Sequence, residues 1–134
     1  MGGDRVSDSP ESVVRNFLGA LEDPSKPDEI ADHFADDGVY ADPRGVHRGL
    51  DAIRAEFRAQ AAMGFGNVKI DVISLVADGG TVMAERIDSW TDGDQLVTIE
   101  MVGSFEVDPD GRIKRWRDYY DLKSIMDQMA RPGE

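Results

Sequence analysis

The chain has 134 residues, 15 lysines and arginines against 27 aspartates and glutamates, a formal net charge of −12 and no cysteine. That length suits one domain able to bury roughly two-thirds of the surface its unfolded chain exposes, while the acidic balance argues against a nucleic-acid or anionic-lipid partner. The missing thiols exclude a cysteine nucleophile, a thiolate zinc site and a disulfide framework, and no segment approaches the ~18 apolar residues of a membrane span.

Residues 1–8 are polar and read as a loose tail before a domain over 9–130, with no apolar leader at the start. Ser9-Pro10-Glu11 opens a helix whose Val13, Val14, Phe17, Leu18 and Leu21 share a face, and Asp23-Pro24-Ser25-Lys26-Pro27 breaks it. Ile30, Phe34 and Ala35 suggest a short second helix that carries His33, followed by a brief extended piece from Gly38 to Pro43. A third helix runs from about Gly49 to Met63 with Leu50, Ile53, Phe57 and Ala61 inward, and Gly64-Phe65-Gly66 closes it.

From there the chain reads as strand. Segments 68–77, 81–91, 95–108 and 113–121 are rich in β-branched and aromatic residues, separated by Asp78-Gly79-Gly80, Asp92-Gly93 and Pro109-Asp110-Gly111. A final short helix with Leu122, Ile125, Met126 and Met129 packs as a lid or against a neighbour, and Asp121 suits its N-cap. Helices first and a meander afterwards predict an α+β domain whose curved, mainly antiparallel sheet wraps the early helices as a cone.

Residues two apart on a strand share a face, so Arg86 points with Asp88, and Trp116 with Asp118 and Tyr120. If Asp92-Gly93 is a two-residue loop, residue 88 lies opposite 97 and 86 opposite 99; the next turn then sets 99 against 120 and 101 against 118. Val97, Ile99, Met101, Phe105 and Val107 form the apolar face that Trp116 and Tyr120 match. Thr98, Glu100 and Glu106 form a solvated face with Arg115 and Arg117. Arg86, Asp88 and Asp118 therefore belong to the apolar face, where charges are costly unless paired. His33 and His47, in a helix and a loop, have no second ligand at metal spacing, so both read as solvated and no metal is expected.

Arg86-Ile87-Asp88 followed by Trp116-Arg117-Asp118-Tyr119-Tyr120-Asp121-Leu122 resembles the signature of the limonene-1,2-epoxide hydrolase family, whose fold is an NTF2-like or SnoaL-like cone. Element order carries the likeness from about Ser9 to Met129. The resemblance implies cofactor-free, one-step hydration of an apolar epoxide to a vicinal diol by a homodimer; a cytoplasmic location is expected separately, from the absence of cysteine and of a membrane-spanning run. Asp118 would be the general base, Asp88 the general acid, Arg86 the bridge and Tyr40 a water holder. Asp42 departs from the pattern, standing where the family has asparagine. Phe34, Val97, Ile99, Met101, Phe105, Trp116 and Tyr120 are the candidate substrate lining, and Met83 is left off the face by its parity.

Two other readings compete. The stretch from Ala35 to Pro43 is also similar to ketosteroid isomerases, with Asp42 as the proton-shuttling base. That chemistry needs an oxyanion hole, and the matching donor positions hold Phe17 and Gly103. A non-catalytic small-molecule-binding or polyketide-cyclase-like domain is the third, since fold does not fix function.

Overall fold

A computed structural model describes residues 8–130; the tail expected over 1–8 falls, but for Asp8, outside the described residues. Helix α1, Pro10–Ala20, starts as its sequence dictates: Ser9 Oγ accepts the Ser12 backbone N–H at 3.1 Å, and Pro10 takes the first position. Val13, Val14, Phe17 and Leu18 are its buried face. Helix α2, Pro27–Ala31, and helix α3, Leu50–Ala62, complete the layer, α3 burying Ile53 and Phe57 one turn apart.

Six strands form one sheet: β1 Phe34–Asp42, β2 Gly45–Arg48, β3 Gly66–Asp78, β4 Thr81–Asp92, β5 Gln95–Val107 and β6 Ile113–Tyr119. Their order is β2-β1-β6-β5-β4-β3, with β1 parallel to β6 and the other pairs antiparallel. Helix α4, Leu122–Met129, is capped by Asp121, whose side chain accepts the Lys123 backbone N–H. None of the helices is long and apolar enough to cross a membrane among the described residues.

Three expectations need correction. Phe34 and Ala35 do not extend the second helix but open β1, because a parallel partner 79 residues on, Ile113 opposite Phe34, supplies the extended backbone with its pairing. His33 consequently lies in the turn after α2, and His47 lies in β2, a short strand that local patterning does not announce. The cross-strand rows are also displaced by two residues. The turn residues are Gly93-Asp94, with Gly93 at φ +63, so Asp88 faces Ile99, Arg86 faces Met101 and Trp90 faces Val97. Gly103, not Met101, lies opposite Asp118, and Phe105 opposite Trp116, while Tyr120 lies just past the end of β6. A shift of two leaves every side chain on its face, whereas a shift of one would have reversed them. The solvated face is as read, with Glu106 opposite Arg115 at 3.8 Å, and Met83 is exposed.

The core is aromatic where helices meet sheet. Phe17 sets its edge against Trp116 at 4.9 Å between centroids, and Tyr40 stacks on Trp116 at 4.4 Å and on Phe57 at 5.5 Å. Each such ring brings roughly 150–250 Å² to the interior and fixes the inner face of β6 against the helices.

Candidate active site

Arg86 is the largest fully buried side chain, 1% exposed, with Asp88 at 8% and Asp118 at 6%. Strand β4 aims the first two inward two residues apart, and β6 brings Asp118 across β5. The guanidinium bridges the acids: Nε and Nη2 donate to Asp88 at 2.9 and 3.2 Å, while Nη1 and Nη2 donate to Asp118 at 2.9 and 2.6 Å. Trp116 Nε1 donates to Asp118 Oδ1 at 2.7 Å, and Met101 Sδ lies 2.9 Å from Arg86 Nη2.

The span across β5 is closed at Gly103, which stands where an isomerase would need an oxyanion donor. A β-carbon on Gly103 would lie 2.6 Å from Arg86 Nη1 and 2.8 Å from Asp118 Oδ1. Glycine in the middle of a strand signals close approach of another group, and here that group is the ion pair itself. The signal was legible in the sequence, but the partner was not.

Burial decides the electrostatics. It pushes Asp88 up to about 6 against the pull of Arg86, and it raises Asp118 against the pull of Arg86 and Trp116. Burial works against the Arg86 charge, yet the two aspartates outweigh it and raise the guanidinium above its ordinary value. One cation compensates one carboxylate, so a single proton shared by the aspartates makes the buried set neutral.

Arg86 does not touch every candidate; the pairing of β1 with β6 brings Tyr40 and Asp42 alongside Trp116 and Asp118. Tyr40 is buried in the aromatic stack; burial and then the Asp118 and Asp42 charges raise its phenol, which stays protonated. Asp42 receives the Tyr120 hydroxyl at 3.1 Å, which corrects the placing of Tyr120 opposite Ile99. Burial, with the Asp42 charge, pushes the Tyr120 phenol up to about 12. Phe34, Phe105 and Trp116 belong to the main core. Val97, Ile99 and Met101 are buried outside that cluster, Ile99 opposite Asp88, Met101 opposite Arg86 and Val97 opposite Trp90, an apolar run of β5 along the charged face. Phe17 lies in the main core. His33 is held by the Glu29 and Ile30 carbonyls at 3.1 Å, and among the described residues no cluster of His, Asp or Glu is arranged to hold a metal ion.

A curved mixed sheet packed on helices, with charged side chains on its inner face, defines the α+β cone class. A SnoaL-like protein from Shewanella denitrificans OS-217 shares the fold at a TM-score of 0.78, with 15% identity and coverage of 90% of this chain and 96% of that one. Residues 8–131 match the limonene-1,2-epoxide hydrolase catalytic domain, and the chain belongs to that family. Epoxide hydrolase EphG of Mycobacterium tuberculosis (strain ATCC 25618 / H37Rv) is 37% identical over 124 residues, which span 89% of this chain and 78% of EphG. A solved LEH-like epoxide hydrolase of M. tuberculosis superposes at a TM-score of 0.72 with 31% identity, covering 87% of this chain and 89% of its own. The activity class that goes with this membership is epoxide hydrolysis.

Proposed function

We propose that the protein hydrates an apolar epoxide to a vicinal diol in one step, without a cofactor, using Asp118, Arg86 and Asp88 as base, bridge and acid. The observation that carries the reading is the single guanidinium shared by two buried carboxylates beside an apolar wall. Asp118 accepts three hydrogen bonds and Asp88 two, so the negative charge is better held on Asp118 and the shared proton on Asp88. Asp118 takes a proton from water as the water oxygen attacks one ring carbon from the face opposite the ring oxygen. The bond between that same carbon and the ring oxygen breaks, and Asp88 gives its proton to the departing oxygen. Afterwards the proton on Asp118 must return to Asp88, and Arg86 holds the pair at one proton throughout. Tyr40 and Asp42 orient the water, the proximity contribution. Val97, Ile99 and Met101 receive the hydrocarbon part of the substrate.

The same reading makes the protein a homodimer, supported by the exposed apolar side chains Ile73, Val102 and Tyr119 around one groove of the outer sheet face. The activity test is diol formation from limonene 1,2-epoxide and from a meso cycloalkene oxide, comparing the wild type with Asp118→Asn. Loss of a general base should cost about 10²–10⁴-fold in turnover. An unchanged thermal transition in the variant would assign that loss to chemistry. Turnover retained in Asp118→Asn, or absent from the wild type across the panel, would sink the proposal.

A further inference from the structure

Asp42 is a third carboxylate at this site, its side chain 6% exposed, and its charge acts on Asp118 to raise that carboxyl further. Arg86 offers it nothing, because its contacts go to Asp88, Asp118 and Met101. A buried charge without compensation is costly, and here it would also oppose ionisation of the neighbouring acid. The Pro43-Arg44 turn between β1 and β2 supplies what is missing. Arg44 gives its backbone N–H to Asp42 Oδ1 at 2.9 Å and its Nε to Oδ2 at 3.3 Å. Its far end is fixed as well: Nη2 donates to Glu56 Oε2 at 2.9 Å, and Gln60 Nε2 donates to the same oxygen at 2.7 Å.

Acceptor arithmetic shows what remains free. A carboxylate has about four lone-pair sites, and Asp42 uses three of them, two on Arg44 and one on the Tyr120 hydroxyl. We propose that Arg44 is a positioning residue for the hydration reaction, holding Asp42 as a charge-compensated acceptor beside Asp118 with one lone pair left for the attacking water. The proposal rests on the reading of Asp118 as the base. The groups around Asp42 are Tyr40 and Arg44 from β1 and its turn, His47 from β2, Glu56 from α3, and Asp118 and Tyr120 from β6 and its end; Arg86 and Asp88 lie behind Asp118. His47 Nε2 lies 3.7 Å from Glu56 Oε1, on the far side of Arg44's carboxylate partner.

The test uses a probe already in place. Trp116 Nε1 donates to Asp118 Oδ1 at 2.7 Å, so its indole nitrogen resonance follows Asp118 through a pH titration with no substrate present. The chain has two tryptophans, and Trp90→Phe assigns the signal. In Arg44→Gln the Trp116 transition and the acid limb of kcat/KM should move to higher pH together, by about one unit, a roughly tenfold loss at fixed pH on that limb. Arg44→Lys should keep the wild-type transition, and Asp42→Asn combined with Arg44→Gln, which removes both charges, should restore it. If Arg44→Gln does not fold, Asp42→Asn alone gives the converse readout, a downward shift. A transition that stays in place in Arg44→Gln or in Asp42→Asn, or that the double variant does not restore, overturns the proposal. A wild type that makes no diol while the Trp116 transition moves as described would end the hydrolytic reading of Asp118 and leave the charge compensation standing.

Discussion

Gly103 is where the chemistry meets the backbone most closely. Its missing side chain is the space in which Arg86 and Asp118 join across β5, and Phe105 Cε1 lies 3.0 Å from where a β-carbon would sit. Gly103→Ala should therefore push the pair apart rather than fill a void. The expected cost is about 1–3 kcal/mol of stability by overpacking, read from urea unfolding, together with a fall in diol formation of at least about tenfold. Alanine accepted without loss of either would mean that the ion pair relaxes freely, contrary to its packing against Trp116 and Met101. At the same scale Asp121 shows the opposite economy. It is a plain N-cap, and its proximity to the signature residues reflects only where the last helix begins.

Helix α4 buries no side chain completely, yet it is tied to the sheet at one point. Strand β6 ends at Tyr119, which leaves β5 with an unpaired edge beyond Met101. The Gln128 side-chain amide fills one step of that edge: its Oε1 accepts the Thr98 N–H at 3.0 Å and its Nε2 donates to the Thr98 carbonyl at 2.8 Å. Gln95 adds a bond from its side chain to the Gln128 backbone carbonyl. An amide thus does for the edge what a further strand would do. Gln128→Ala should free the Thr98 amide, seen as faster hydrogen exchange at that residue, and should loosen α4 at a cost of about 1 kcal/mol. Protection of Thr98 that survives the substitution would show that backbone packing, not the amide, holds the helix.

Across the whole molecule the buried pair makes stability depend on pH in an unusual direction. The folded value of Asp88 is raised, from 3.8 to about 6, so the native state binds more protons than the unfolded chain between those values. This contribution is fully present below about 3.8 and is lost as pH rises through about 6. Its full span is roughly 3 kcal/mol. The Asp88→Asn variant, which cannot ionise, should lose less stability than the wild type between pH 4 and pH 8. Denaturant midpoints for both proteins across that range give the difference directly, and parallel curves would mean that Asp88 keeps its ordinary value. With a net charge of −12 the rest of the chain contributes its own repulsion at neutral pH, which the comparison between the two proteins removes.

The sequence by itself determined which residues could share a face. Period-two alternation along β4, β5 and β6 placed Arg86, Asp88, Asp118 and Trp116 on the apolar side, and parity survives a register error of two. It also located the first, third and last helices and the helix starts at Ser9 and Asp121, because those depend on residues a few positions apart, whereas the end of α2 and the β4–β5 turn were set by pairing with other strands. Only the tertiary structure decided which residues on that face meet. The parallel pairing of β1 with β6 joins segments that no local pattern connects, and it is what brings Asp42 and Tyr40 alongside Asp118. The roles of Gly103 and Arg44 followed from the same long-range contacts: a glycine's use depends on what approaches it, and an arginine's on which carboxylates surround it.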